Sequence, residues 1–248
     1  MSRPAAVLFD LYGTLADIEV DERRDAFWVA LAREALPAVQ IDPLQLREIY
    51  FGLLAQERLQ GGKDGFLLTS TFERLLRLLK QKQTDMAVVE FADHFRRLSI
   101  LSLKARSYAA PLLRLLRSEG FSLGLISNTE ALLTQFDLKV LRLEDAFNTI
   151  LLSSQVGAGK PDSLIYRIAL ENLRVDACEA IMIGDTYETD VVGAESLSIN
   201  SIYLTSDESI SIEVRTNGIK VLPACPNYDS IVSALNNLDC RLPLGPQE

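Results

Sequence analysis

Apolar residues form two kinds of pattern along this chain, and the two kinds occupy different regions. Short, largely apolar runs bounded by polar residues or glycine are typical of strands buried on both faces of a sheet. Such runs predict strands at residues 5–9, 121–126, 148–152, 180–183 and 199–204, with a weaker one at 218–222. Helical spacing predicts helices near 108–118, 130–140, 163–173, 189–197 and 227–238. This alternation of strands and helices predicts a parallel sheet with right-handed crossovers.

The region between the first run and residue 100 has a helical pattern only. Its apolar residues recur with a period near 3.6, which is typical of amphipathic helices. The helices are predicted at 21–36, 43–59, 66–80 and 84–98, with a glycine-rich break at 61–65. Four helices after a single strand indicate an all-helical insertion. We therefore predict an α/β protein with a Rossmann-like parallel sheet core at 1–16 and 100–248, and an inserted helical domain at 17–99.

Composition and charge exclude several functions. The net charge of −9 argues against nucleic-acid binding, because affinity for the phosphate backbone comes from Lys and Arg. No apolar stretch reaches the about 20 residues of a membrane span, and residues 1–9 do not have the pattern of a signal peptide. The three cysteines lack Cys-x-x-Cys spacing, which is typical of a reducing compartment. A cytoplasmic location is expected.

Polar clusters follow four of the predicted strands. Asp10 ends the first run and precedes Gly13-Thr14, while Ser127-Asn128 follows the second. Ligands bind at the carboxyl ends of the strands of open α/β sheets, so Asp10 is a candidate nucleophile. A hydroxyl, an amide and free backbone N–H groups at a strand end can bind an oxyanion or phosphate. The structural alternatives are an ordinary turn at Asp10 and a helix N-cap at Ser127.

The other two clusters supply a cation and a pair of carboxylates. Lys160 lies between Gly159 and Pro161, in the loop after the third run, and by itself it is more typical of a solvated turn. Asp185 and Asp190 follow the fourth run. Carboxylates clustered at a strand end suit Mg²⁺, which takes one or two of them together with substrate phosphate. A turn Asp and an N-cap Asp would explain either residue alone.

The order Asp10, Ser127-Asn128, Lys160, Asp185/Asp190 and its strand-end contexts resemble the haloacid dehalogenase superfamily of hydrolases, subfamily I. The resemblance covers about residues 5–204, and the helical insertion is similar to the cap domain of that family. It implies that Asp10 attacks phosphorus and becomes a transient aspartyl-phosphate.

The resemblance also implies roles for the other residues. Thr14, Ser127 and Asn128 are expected to bind the substrate, and Lys160 to offset the charge of nucleophile and phosphate. The expected ligands of the Mg²⁺ cofactor are Asp10, Asp185, Asp190 and the main-chain carbonyl of Tyr12.

Tyr12 departs from the pattern of the phosphatases in this family. They usually carry Asp two residues after the nucleophile, where it protonates the leaving oxygen and later activates water. Such a general acid–base contributes about 10²–10⁴-fold in rate, and a phenol with a pKa near 10 is a poor substitute. Either the substrate has a good leaving group, such as an acyl or enol phosphate, or another residue supplies the proton. Asp21, Glu22 and Glu188 are alternatives for that residue.

With Tyr12, the segment around Asp10 is also similar to the first motif of the L-2-haloacid dehalogenases, which use no metal. Those enzymes generally lack the Gly-Asp pair that Gly184-Asp185 forms here. Two Asp residues facing Asp10 would repel one another unless a cation neutralises them. We therefore predict a Mg²⁺-dependent phosphatase of a small phosphorylated metabolite, either a monomer or a homodimer. A metal-independent dehalogenase and a weakly active binding protein are the alternatives.

Overall fold

The computed structural model describes residues 5–60, 68–82, 84–205, 219–223 and 226–237. The chain forms two compact units. The first, called here the core unit, comprises Met1–Asp17, Lys104–Asn128 and Leu141–Glu248. The second, the helical unit, comprises Ile18–Leu103 and Thr129–Val140. The predicted glycine-rich break at 61–65 lies outside the described residues, as do Cys225 and Cys240.

A six-stranded parallel sheet forms the centre of the core unit, so the predicted fold class is confirmed. The strands along the chain are β1 (Ala6–Phe9), β2 (Ala16–Val20), β3 (Ile100–Ala105), β4 (Ser122–Ser127), β5 (Thr149–Leu152), β6 (Ala180–Gly184), β7 (Asn200–Thr205) and β8 (Ile219–Pro223). The order in the sheet is β5-β4-β1-β6-β7-β8. Strand β1 therefore lies inside the sheet, paired with β4 on one side and β6 on the other.

The helices follow the predicted periodicity. They are α1 (Asp25–Ala35), α2 (Pro43–Gln60), α3 (Leu68–Leu78), α4 (Asp85–Ser99), α5 (Ala109–Ser118), α6 (Ala131–Leu141), α7 (Ser153–Val156), α8 (Ser163–Leu173), α9 (Gly193–Glu195) and α10 (Tyr228–Asn237). Helices α1 to α4 and nearly all of α6 belong to the helical unit. None of the described helices is long and apolar enough to cross a membrane.

The two central strands β1 and β6 are buried on both faces, as their apolar runs predict. All four residues of β1 and all five of β6 are buried. Helix α8 covers one face of the sheet through Ile165, Tyr166 and Ala169, which share an apolar cluster with Leu8 and Met182. The backbone N–H of Asp10 donates to the carbonyl of Ile183 at 2.9 Å, so the pairing with β6 continues past the end of β1.

The helical unit has its own apolar core, which is rich in aromatic residues. The rings of Phe27 and Phe95 have centroids 5.0 Å apart, and those of Trp28 and Tyr50 are 5.3 Å apart. A buried ion pair joins α4 to α6 within this unit. Arg96 donates to both carboxylate oxygens of Asp137, with the shortest contact at 2.6 Å. Leu133 of α6 belongs to the same apolar core.

Two features of the fold differ from the sequence prediction. The region after β1 is predicted to be free of strands, yet β2 and β3 pair as a two-stranded sheet. These strands bury little, with a single buried residue in β2 and none in β3, so no apolar run marks them. The helix predicted at 189–197 is instead a π-helix, Tyr187–Val192, followed by the single turn of α9.

Candidate active site

The predicted site residues of the core unit lie at the carboxyl ends of neighbouring strands. Asp10 directly follows β1, Ser127 is the last residue of β4, and Asp185 directly follows β6. Lys160 lies in the loop between α7 and α8. Because parallel strands direct their carboxyl ends to one edge of a sheet, residues far apart in the sequence meet there.

The ammonium of Lys160 joins two of the carboxylates. Its Nζ donates to Asp10 Oδ1 at 2.7 Å and to Asp190 Oδ1 at 2.6 Å. All three residues are at most 8% exposed. The second oxygen of Asp190 accepts from the backbone N–H of Thr186 at 2.9 Å. The candidate nucleophile is therefore held in a buried network that contains one cation and at least two carboxylates.

A third carboxylate completes an acidic cluster. One carboxylate oxygen from each of Asp10, Asp185 and Asp190 can be chosen so that all three lie within 4.8 Å of one another. With Lys160 as the bonded cation, the cluster carries a negative charge in a largely buried place. Such a charge is costly unless a further cation compensates it.

Two glycines allow these groups to approach. Gly13 has φ +83°, and a Cβ at this position would lie 2.0 Å from Asp185 Oδ2. A Cβ at Gly184 would lie 2.3 Å from Asp190 Cγ. Any larger residue would push the carboxylates out of place, so the packing of the cluster requires glycine at positions 13 and 184.

The pKa values reflect this crowding. Burial raises the pKa of Asp10 to about 6, with Lys160 opposing the shift and Asp190 and Asp185 adding to it. Burial and the neighbouring Asp190 also raise the pKa of Asp185. Burial alone would lower the pKa of Lys160, but the carboxylates of Asp10 and Asp190 outweigh burial and raise it. Lys160 is therefore an ammonium ion at neutral pH.

The three predicted substrate-binding residues have different surroundings. Thr14 is fully buried, and its hydroxyl has no hydrogen-bond partner among the described residues. Ser127 is also buried. The side chain of Asn128 bonds to Lys160 at both ends: Nδ2 donates to the carbonyl of Lys160, and Oδ1 accepts from its N–H, each at 2.7 Å. Asn128 thus fixes the backbone that carries the lysine, while its contact with substrate stays a prediction.

Tyr12 lies in a tight turn of the loop that follows Asp10. It forms an isolated β-bridge with Ala16, and the N–H of Gly13 donates to the carbonyl of Ala16 at 2.8 Å. The side chain of Tyr12 is half-buried. The turn therefore fixes the backbone at the position where phosphatases of this kind usually carry Asp.

Tyr166 is a residue of the site that the sequence reasoning missed. Its hydroxyl donates to the carbonyl of Thr189 at 2.5 Å, inside the π-helix and next to Asp190. Burial, together with the charges of Asp190 and Asp10, raises the pKa of Tyr166, so the hydroxyl stays protonated. Tyr166 lies on the apolar face of α8, so the sequence pattern predicts an ordinary core residue. The bond of its hydroxyl to the π-helix is seen only in the structure.

Tyr108 and Arg106 are two further residues that the sequence reasoning missed. The hydroxyl of Tyr108 donates to the carbonyl of Thr14. Arg106 donates from its backbone to the carbonyl of Leu15 at 2.8 Å and from its side chain to Asp17 at 2.7 Å. Both residues thus fix the segment that follows the nucleophile. No motif in the sequence marks them, because their partners lie about ninety positions earlier in the chain.

Comparison with known proteins agrees with this geometry. Residues 4–197 match the family model described as haloacid dehalogenase-like hydrolase. Since the match covers more than half of the chain, the protein belongs to the haloacid dehalogenase-like hydrolases. The resemblance to the haloacid dehalogenase superfamily is therefore confirmed, while the assignment to subfamily I stays a prediction.

Individual relatives add detail. The chain is 30% identical to phosphoglycolate phosphatase of Neisseria gonorrhoeae over 81% of its own length and 79% of that protein. It is 29% identical to haloacid dehalogenase-like hydrolase domain-containing protein 3 of Mus musculus over 52% of its own length, and spans half of the mouse protein. The structure of 2-haloacid dehalogenase from Pseudomonas syringae is similar in fold, with a TM-score of 0.61, 24% identity, and coverage of 93% of this chain and 97% of that one.

Proposed function

We propose that this protein is a Mg²⁺-dependent phosphatase that hydrolyses a small phosphorylated metabolite through an aspartyl-phosphate on Asp10. The observation that carries the proposal is the buried cluster in which Asp10 meets Lys160, Asp185 and Asp190. The similarity to a phosphoglycolate phosphatase over four fifths of the chain supports a phosphatase, whatever the leaving group of its substrate.

The donor set of the cluster fits Mg²⁺. This cation takes carboxylate oxygens and retains water or phosphate oxygens at its other positions. Asp10, Asp185 and Asp190 offer such oxygens, and the backbone carbonyl of Tyr12 is the fourth proposed ligand. When bound, Mg²⁺ would neutralise negative charge on the phosphoryl group and on the three carboxylates.

The residues of the chain divide the remaining tasks. A carboxylate oxygen of Asp10 forms a bond to phosphorus, and the bond from phosphorus to the leaving oxygen breaks. Lys160 lowers the cost of bringing a carboxylate and an anionic phosphate together. Thr14 and Ser127 are the proposed donors to phosphoryl oxygens, and the buried Thr14 hydroxyl without a partner among the described residues supports this role. Water then attacks the phosphorus of the intermediate and restores Asp10.

A second candidate function, hydrolytic dehalogenation, is favoured by Tyr12 and by the fold shared with a 2-haloacid dehalogenase. A halide leaves without a proton, so such an enzyme needs no acid at position 12. It also needs no metal, and the three carboxylates would then have Lys160 as their bonded cation. We favour the phosphatase because the acidic cluster has a task only in that reaction.

The test is hydrolysis of an aryl phosphate and of acetyl phosphate, each with and without Mg²⁺, alongside 2-chloropropionate. We expect Mg²⁺-dependent release of phosphate, which Asp10→Asn abolishes while leaving the far-ultraviolet circular dichroism unchanged. Chloride release without metal would identify a dehalogenase instead. Absence of turnover on every substrate would support the alternative of a weakly active binding protein. A cytoplasmic location and a monomeric or dimeric state stay predictions.

A further inference from the structure

We propose that Tyr12 restricts the enzyme to phosphorylated substrates whose leaving group departs as a stable anion, namely acyl phosphates, and excludes alkyl phosphates. This inference rests on the proposed phosphatase function. It concerns a property that the acidic cluster does not determine, namely how the leaving oxygen is accommodated when its bond to phosphorus breaks.

The chemistry of the leaving group decides whether a proton is needed. An alkoxide is a strong base, so an alkyl phosphate requires a general acid at the leaving oxygen. A carboxylate leaving group corresponds to an acid with a pKa of about 4, and it departs as an anion without a proton. An enzyme that lacks the general acid therefore retains its rate only on the second kind of substrate.

The carboxylates around Asp10 already have other partners. Asp190 accepts from Lys160 with one oxygen and from Thr186 with the other. Asp185 belongs to the proposed metal ligands. Lys160 itself donates to two carboxylates and is fixed by them rather than directed toward a leaving group.

Four other acidic or phenolic groups near this loop are also engaged or exposed. Asp17 pairs with Arg106 at 2.7 Å, and its side chain is 61% exposed. Glu188 is exposed on the π-helix. The hydroxyls of Tyr108 and Tyr166 both donate to backbone carbonyls. None of these described groups of the core unit is placed to replace the missing Asp.

The proposed reaction balances without a general acid. Asp10 forms a bond to phosphorus, the phosphorus–oxygen bond of the acyl phosphate breaks, and the carboxylate leaves with the electron pair. The aspartyl-phosphate is itself an acyl phosphate. Water then forms a bond to phosphorus, the bond to Asp10 breaks, and the proton of water passes to the solvent. Both steps thus expel a carboxylate.

The experiment is a leaving-group series measured as kcat/KM at saturating Mg²⁺. The series comprises acetyl phosphate, aryl phosphates of increasing phenol pKa, and an alkyl phosphate. For the unmodified protein we expect a steep fall, with at least about a 10²-fold difference between acetyl and alkyl phosphate. Tyr12→Asp should raise the rate on the alkyl phosphate by about 10²–10⁴-fold and flatten the series.

Tyr12→Phe is the matched variant, because it removes only the hydroxyl. We expect its series to keep the steep slope of the unmodified protein. A selective loss of alkyl phosphate hydrolysis in Tyr12→Phe would show that the phenol is the acid and overturn the proposal. A flat series in the unmodified protein would also overturn it and indicate another proton donor. If no substrate gave Mg²⁺-dependent phosphate release, the proposed phosphatase function itself would fail.

Discussion

At the scale of single residues, Lys160 is the cation shared by the buried carboxylates of Asp10 and Asp190. It is 4% exposed and donates to two carboxylates, so its removal leaves buried negative charges without their bonded cation. Breaking a buried ion pair by removing one partner typically costs about 3–5 kcal/mol. The stability of the metal-free protein therefore depends on this one side chain.

Lys160→Met should lower the free energy of unfolding by about 3–5 kcal/mol in the absence of metal. Mg²⁺ should recover part of the loss, because it supplies a cation to the same carboxylates. Denaturant unfolding with and without Mg²⁺ measures both effects. Lys104→Met, at an exposed position, is the control. A loss no larger than that of the control would show that the carboxylates do not depend on Lys160.

Glu22 gives a pH dependence to the helical unit. Burial raises the pKa of Glu22 in the folded protein, against the opposing effects of Arg96 and Tyr50. The folded state then binds more protons than the unfolded state between the two pKa values, so stability falls as the pH rises through this window. Below the unfolded pKa the contribution of Glu22 to stability is fully present.

Glu22→Gln removes this titration. Relative to the variant, the unmodified protein should lose melting temperature as the pH rises from about 4.3, the ordinary value of Glu, through the raised pKa. Melting curves at closely spaced pH values measure the difference. Glu48→Gln changes an exposed Glu of α2 and serves as the comparison. A difference that grows in the opposite direction would contradict the assigned shift.

Sequence reasoning finds some residues of the site and misses others for a physical reason. Asp10, Lys160 and Asp185 are predictable because each follows an apolar run, and parallel strands bring such positions to one edge. Tyr108 and Tyr166 are not, because their aromatic rings satisfy an apolar pattern. Their hydroxyls bond to carbonyls 94 and 23 positions away, which no local pattern encodes.

At the scale of elements, the π-helix Tyr187–Val192 follows β6 and carries Asp190. π-Helical turns are rare in proteins, and those that occur are often found at functional sites. Here the carbonyl of Thr189 accepts from the hydroxyl of Tyr166, a residue of α8. The conformation that places Asp190 in the cluster is thus stabilised from a neighbouring helix. The sequence pattern predicts an ordinary helix because its apolar spacing does not distinguish the two helical forms.

Tyr166→Phe should weaken Mg²⁺ binding several-fold and lower the free energy of unfolding by about 1 kcal/mol, the typical contribution of one hydrogen bond. A Mg²⁺ titration followed by melting temperature separates the two effects. A variant that lowers the melting temperature but keeps the Mg²⁺ midpoint would assign the hydroxyl a purely structural role. Tyr203→Phe, on β7, is the matched control.

The ion pair between α4 and α6 is the corresponding polar contact inside the helical unit. Arg96→Met or Asp137→Leu alone should cost about 3–5 kcal/mol, because each leaves a buried charge without its partner. The double variant should recover most of that loss, since apolar residues of similar size replace both charges. Chemical denaturation of the three variants completes the cycle. If the double variant lost as much as the two single variants together, the two residues would not be coupled, and the predicted dependence of each charge on its partner would be wrong.

At the scale of the whole molecule, ligand binding to the cluster should stabilise the folded state. Ligands that bind only the folded protein add about 2.7 kcal/mol at a concentration of 100 times Kd. We expect Mg²⁺ to raise the melting temperature, and Mg²⁺ with beryllium fluoride, a phosphate mimic, to raise it further. Asp185→Asn should reduce both shifts. Equal shifts in this variant would place the bound metal elsewhere.

The pattern of apolar runs predicts the sheet because buried parallel strands leave a strong signal in the sequence. Strands β2 and β3 escape this reasoning because they bury almost nothing. The sequence pattern also does not predict that α6 belongs to the helical unit, because helical periodicity identifies an apolar face and not the unit against which that face packs. The position of α6 in the sequence, shortly after Ser127-Asn128, gives no indication that this helix belongs to the helical unit.

The division of the chain has a consequence for exchanging parts between relatives. The chain passes between the two units four times, at residues 17/18, 103/104, 128/129 and 140/141. A chimera that transplants only 18–103 would therefore pair a foreign α4 with the native α6. Leu133 would then pack against apolar residues of the donor protein. The buried Asp137 would keep its ion pair only if the donor supplies an arginine at position 96. A chimera that keeps the contacts of the helical unit must therefore transfer residues 18–103 and 129–140 together, as two separate segments of the sequence.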